Sequence, residues 1–331
     1  MPDRSLLVAR RLLPSLAVIA LPLVLALWAS FAGQTFYITL AARIAVLGLA
    51  ATGLNLALGL GGLVSLGHAA FFGIGGYLVG IVASHAMEGG QLPFGLPAVA
   101  EMAYVWLLAV LVAGLFALVI GAISLRTSGV AFIMITLAFA QMIFYLAIAW
   151  PGYGGEDGLP IAVRNGFFGV RTMRPLNFFL IAFGLLLFGL ALFAVLKASR
   201  FGAALQAARQ NGVRLASLGI EPFRIHLVAF VVSGMITALA GALYAELNRF
   251  VSPSMLSWHL SGELIVLVVL GGVGRLAGPL AGATLYVLLE HFLGALTERW
   301  QFFLGLALIG VVLAGRGGIM SLLSPRSARH G

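Results

Sequence analysis

The stretch Gly202–Leu243, GAALQAARQNGVRLASLGIEPFRIHLVAFVVSGMITALAGAL, joins two unlike halves. The first half is polar, basic and rich in alanine, and the second is an unbroken apolar run. About 20 apolar residues carry a helix across the hydrocarbon core of a bilayer. A short amphipathic piece beside such a run cannot cross, so it lies on the membrane surface or docks into another protein. The stretch therefore marks a membrane protein with a place to receive force or a signal from a soluble partner.

Apolar runs of the same length recur on both sides of it. Of 331 residues, 62% are hydrophobic and 9% charged, against roughly 25% charged in soluble domains. The class is all-α, a polytopic α-helical membrane protein, because the short alternating strands of a barrel are not seen. About ten membrane segments can be drawn, near 12–32, 36–60, 62–84, 103–124, 129–150, 177–197, 225–246, 261–273, 277–296 and 300–315. The eighth is too short for a plain crossing and is expected to tilt into its neighbour or to be a half-span buried in protein. The run Leu12–Phe31 follows Arg4, Arg10 and Arg11 and exceeds a cleaved signal core, so it reads as a retained first span. The whole of 1–331 reads as one transmembrane domain.

The net charge of +9 is that of basic loops on the cytoplasmic side of a membrane, not of a nucleic-acid binder. With the N-terminus inside, the inner loops and termini hold Arg126, Lys197, Arg200, Arg209, Arg214, Arg224 and Arg275, with Arg316, Arg326 and Arg329 at the end. The outer loops hold only Arg164, Arg171, Arg174, Arg249 and Arg299. Both termini are thus expected in the cytoplasm, with a cytoplasmic loop at 198–224 and outer loops at 85–102 and 151–176. Arg43 is expected to snorkel from near the outer end of the second segment. No cysteine is present, which excludes disulfides and thiolate chemistry. No phosphate-binding GxxxxGK[ST] run occurs, so work against a gradient would draw on a partner or an ion.

Four blocks stand out. In Asn55–Tyr77, glycines crowd at 59, 61, 62, 67, 73, 75 and 76, and Ser65 and His68 share a helical face. This is either a discontinuous helix lining a path or close packing with locally satisfied polar groups. In Val130–Leu159, Thr136 and Gln141 are polar within a span, and they either line a path or bond between helices. The basic half of the opening stretch is either a docking piece or an ordinary positively charged loop, with Gly219 as the expected helix stop. In Ser261–Gly282, Gly274, Gly278 and Gly282 recur every four residues, as do Ser233, Thr237 and Gly241 in the seventh segment, marking packed helix faces. Glu263 reads as an interfacial acid at the outer edge. Glu290 and His291 are adjacent and face different ways, which argues against a relay. No metal-ligand spacing is present.

These ordered blocks, 53–77, 135–159, 207–245 and 261–283, resemble the LivM type of the LivH/LivM family, the permease subunits of branched-chain amino acid ABC importers. The resemblance covers about residues 40 to 320; AGRGGIM at 314–320 departs mildly from the Arg-Pro-Arg-Gly run common in the family. It implies a bacterial inner-membrane, multi-pass subunit without catalysis, cofactor or nucleic acid of its own. The implied partners are two ATP-binding cassette subunits, a second related permease completing a heterodimer, a periplasmic solute-binding protein, and membrane lipid. It also implies that 205–220 is the segment docking on the ATPase, through Arg209, Asn211, Gly212, Ala216, Leu218 and Gly219. The solute would be a branched-chain amino acid, urea, an amide or an aromatic acid. Two other classes compete: a stand-alone channel or secondary transporter for a small polar solute, which needs a mid-membrane acid or filter, and a membrane enzyme, which needs a catalytic cluster.

Overall fold

A computed structural model describes residues 4–88, 101–314 and 317–323. The helices are α1 (Arg4–Phe31), α2 (Thr35–Asn55), α3 (His68–Glu88), α4 (Met102–Ser124), α5 (Val130–Ile148), α6 (Pro175–Ala198), α7 (Arg200–Gln210), α8 (Gly212–Ser217), α9 (Pro222–Asn248), α10 (Trp258–Gly271), α11 (Gly278–Leu296), α12 (Trp300–Ala314) and α13 (Ile319–Leu323). Pro175 and Pro222 open α6 and α9 at the first turn, where a missing N–H costs nothing. Among the described residues eight helices are long and apolar enough to cross a membrane. Ten had been expected. The eighth and tenth expected segments form the shorter apolar helices α10 and α12. Most of the expected outer loop at 85–102, and Arg316, Arg326 and Arg329, lie outside the described residues.

α2 is the axial helix, with α9, α6, α11, α10 and α1 packed around it. It continues into a π turn over Leu56–Leu60, after which the chain runs without helix from Gly61 to α3. Gly62 takes φ +72° there, so the third span begins at His68, not at 62. α3 lies on α9 and α4.

The most unusual path follows α9. Arg249 closes that helix in the left-handed conformation (φ 53°). The chain then forms β2 (Phe250–Val251), antiparallel to β1 (Leu159–Pro160), and a 3-10 turn at Pro253–Leu256. This segment descends along α3. Val251 packs against Gly80, Met255 against Gly76 and Leu256 against Gly73. Finally Ser261 Oγ accepts the Ala69 N–H at 2.8 Å. At 1.5 Å per residue the descent covers about 16 Å of α3. It ends near the middle of the bundle. Ser233, bonded to His68 in the first turn of α3, lies about 16 Å from the start of α9 and about 22 Å from its end. α10 is therefore a half-span entered through extended backbone, which membranes tolerate only inside protein or beside water.

At the β-ribbon end, the loop after α5 is anchored by buried polar groups. Glu246, fully buried, accepts the Asn165 Nδ2–H at 2.6 Å and the Asn165 N–H at 3.3 Å. Arg164 donates to the carbonyls of Glu246 (2.8 Å), Thr172 (2.7 Å) and Leu247 (3.2 Å) and covers the Phe178 ring at 4.3 Å. Burial draws its pKa below the usual value, and Arg249 acts in the same sense while Glu246 opposes it.

Candidate functional site

At the end of the bundle opposite the ribbon, Ser199 caps α7 by accepting the Gly202 N–H. Asn211 serves two helices. Its N–H bonds the Ala207 carbonyl to finish α7, and its Oδ1 accepts the Arg214 N–H at 3.0 Å to start α8. Gly219 ends α8 at φ +81°. The Gly219 and Ile220 N–H groups return to the Ala216 and Leu215 carbonyls, a Schellman closure. Gly212 is half-buried against Pro222, while Ala216 is exposed. Val213 and Leu218 stand 83% and 73% exposed, beside exposed Arg214. α8 thus presents apolar side chains outward, while α7 is fastened inward. Leu205 is fully buried with Leu56, Leu60, Phe193 and Ala229, and Arg209 Nη1 donates to the Gly59 carbonyl at 2.7 Å.

The π turn so gripped by α7 holds the far end of α10. Asn55, fully buried, accepts the Gly274 N–H at 2.8 Å and donates to the Arg275 carbonyl at 3.0 Å. Lys197 Nζ donates to the Gly274 carbonyl at 2.6 Å. Gly274 has φ +73° and sits in this turn, ahead of α11 and not on its face. Gly278 and Gly282 do lie on α11. A Cβ on Gly278 would meet the Gly272 carbonyl, and one on Gly282 the Leu267 carbonyl. On α9, a Cβ on Gly241 would meet the Phe72 carbonyl.

A third cluster lies at mid-depth. His68 is fully buried, with Nε2 2.8 Å from Ser233 Oγ and its ring edge-on to Phe71 and Phe230 at 5.6 Å. Ser233 Oγ also donates to the Gly53 carbonyl at 2.6 Å. Ser65 is buried and accepts the Gly67 N–H. Thr136 is buried and donates to the Ile133 carbonyl. Gln141 is half-buried, and its amide nitrogen has no partner among the described residues. Ser65, in the non-helical segment before α3, and His68, at the start of α3, are thus close in the chain, and Thr136 packs on Gly67 between them. Below them a cleft of about 590 Å³ opens between Gly61–Val64, Thr127–Gly129, Arg209 and His226.

A family model described as the branched-chain amino acid transport system permease component matches residues 36–313. The chain belongs to that permease family. The permease is 26% identical over 300 residues to the high-affinity branched-chain amino acid transport permease LivM of Salmonella typhimurium, covering 83% of this chain and 67% of the relative. It is 27% identical to LivM of Escherichia coli K12 over the same shares. It is 29% identical over 198 residues to the autoinducer 2 import permease LsrC of Klebsiella pneumoniae, covering 56% of this chain and 55% of that one. No solved structure matches it.

Sequence reading missed three features of the permease. Asn55 opened a motif without being given a role, because a side chain that clips two distant backbone groups leaves no local pattern. Glu263 is not at a membrane edge. It follows Ser261 by two residues on the half-span and bonds Tyr286, because its helix starts at mid-depth. Arg43 does not merely snorkel. It joins α2 to α11 through Glu290 at 2.9 Å, while His291 turns to the rings of Phe36 and Tyr37.

Proposed function

We propose that this permease is the LivM-type membrane half of an ATP-driven importer. It pairs with a second, related permease, takes its solute from a periplasmic binding protein on the ribbon side, and the pair docks two ATP-binding subunits on the cytoplasmic side, this chain contributing α7–α8. The solute is a branched-chain amino acid or a related small molecule, as the names of the LivM relatives suggest. Both termini lie in the cytoplasm, in a bacterial inner membrane. This chain does no covalent chemistry.

One observation carries the reading: α8 and its C-cap offer Val213 and Leu218 to solvent while α7 is fixed to the core. Exposed apolar side chains on a small, tightly capped unit suit a groove on a soluble partner. Movement of that unit has a contiguous route inward. Arg209 bears on Gly59, the π turn bears through Asn55 on Gly274, and Gly274 ends the turn that follows α10. ATP-driven displacement of α8 would thereby shift the half-span and open the path to one side at a time. Ser65, His68, Thr136 and Gln141 then belong to a gate, in which the Ser233 contact and the Phe71 and Phe230 rings would hold His68.

The test is a mild-detergent pull-down of the tagged chain, followed by uptake in liposomes. Co-purified ATP-binding subunits and a second permease, with uptake that requires ATP, support the proposal. A chain recovered alone that moves solute on an ion gradient overturns it. In that case Glu263, the acid on the half-span, becomes the first residue to examine for ion coupling.

A further inference from the structure

The segment that leads into α10 exposes polar and aromatic side chains where a lipid-facing surface would be apolar. Ser254, Trp258 and His259 are all exposed, Trp258 to 46%. Trp258 and His259 lie between the levels of Gly76 and Ala69 on α3, set by the Met255 and Ser261 contacts, and so close to mid-membrane, while Ser254 sits just before the Gly76 level on the ribbon side. Hydrocarbon does not accommodate unpaired polar groups or open backbone at that depth. Water, or a solute passing through it, does.

The local geometry is ordered. Ser257 Oγ caps α10 by accepting the His259 N–H, and it also meets His259 Nδ1 at 3.2 Å. The imidazole is fixed by that contact, and its Nε2 edge has no partner among the described residues. Trp258 lies against it, ring centroids 4.0 Å apart and planes 30° apart. No residue from Ser252 to Gly262 carries a formal charge, His counted neutral. A Cβ built on Gly262, one turn further, would meet nothing, so the adjacent surface is open.

We propose that Ser257, Trp258 and His259 form a solute-contact site on the wall of the path. The aromatic face would take the apolar part of the solute, and the His259 Nε2 edge would bond its carboxylate or carboxamide oxygen. The class of ligand is a small zwitterionic or neutral molecule with an apolar side chain. A solute of net negative charge would find no counter-charge on this wall, because the nearest formal charge on α10 is Glu263, one turn beyond His259. The inference rests on the importer reading and deepens it, since it assigns recognition to the permease itself and to α10, the element the coupling route reaches.

The chain has no cysteine, so single-cysteine variants of the full chain report one position each. His259→Cys in the assembled importer should be modified by a negatively charged thiosulfonate reagent, at a rate that changes roughly tenfold between the resting and vanadate-trapped states. L-leucine should slow it. Leu115→Cys, in the exposed middle of α4, should stay unmodified. If His259→Cys is as inert as Leu115→Cys in both states, the site is covered by lipid or by the second permease and the proposal is overturned. In the second arm, with L-leucine as probe, His259→Ala should raise KM roughly threefold to tenfold with ATPase stimulation intact. His259→Gln, which keeps a donor, should do so less. A loss confined to kcat in both variants would overturn a recognition role. Failure of the cysteine-free parent to take up solute with ATP would count against the importer reading instead, while modification of His259→Cys would still report whether this wall meets water.

Discussion

Asn55 holds two backbone groups of a distant turn with one amide, and both would be left unpaired by truncation. Asn55→Ala should destabilise the permease by about 1–3 kcal/mol, read as a fall of several degrees in Tm in detergent. It should also uncouple ATP hydrolysis from uptake. The glycines divide by cause. At Gly241 a side chain would strike the Phe72 carbonyl, which is backbone and cannot step aside. Gly241→Val should therefore abolish folded protein on size-exclusion chromatography. At Gly219 a Cβ meets nothing, and only the positive φ resists substitution. Gly219→Val should cost about 1–2 kcal/mol of local strain, leave the bundle folded, and reduce ATPase coupling. Loss of the folded bundle in that variant would show that Gly219 serves packing and not the closure of α8.

At the scale of elements, α8 tests docking most directly. Leu218→Asp removes an apolar contact from a surface that the rest of the bundle does not touch. It should leave Tm unchanged and prevent co-purification of the ATP-binding subunits; normal co-purification would refute docking through α8. The sequence made most elements legible because spanning helices announce themselves by length and composition alone. The shortness of the 261–273 run likewise showed that α10 could not be a plain span. Its depth was not legible. Glu263 looked interfacial because a hydropathy window cannot see that the preceding strand and 3-10 turn carry the chain inward beside α3. The π turn was hidden for a similar reason, since Leu56–Leu60 is apolar like any helix end. At the site, Ser65, His68, Thr136 and Gln141 were visible as polar residues in apolar runs, yet only packing shows that the first three are enclosed. Trp258 and His259 carried no such contrast, because they stand at the edge of an apolar run, where polar and aromatic residues are unremarkable.

On the scale of the molecule, the ribbon-side halves of α2 and α11 are joined by the Arg43–Glu290 pair, with side chains 32% and 23% exposed. Arg43→Gln strands a carboxylate that is mostly shielded from water. It should lower Tm more than the double variant Arg43→Gln with Glu290→Gln does, because removing one partner leaves an uncompensated charge. Additive losses in the two single variants would show that the pair contributes no coupling. The ribbon and the Asn55 clip act on a longer span. One end of the descending segment is sewn to the loop after α5 by β1 and β2, and the other is pinned to the axial helix beside α7. A strut fixed at both ends of the bundle is a balance beam. Whatever settles on the ribbon and whatever tugs at α8 weigh on the same fourteen-residue helix, and its position is decided by both loads together.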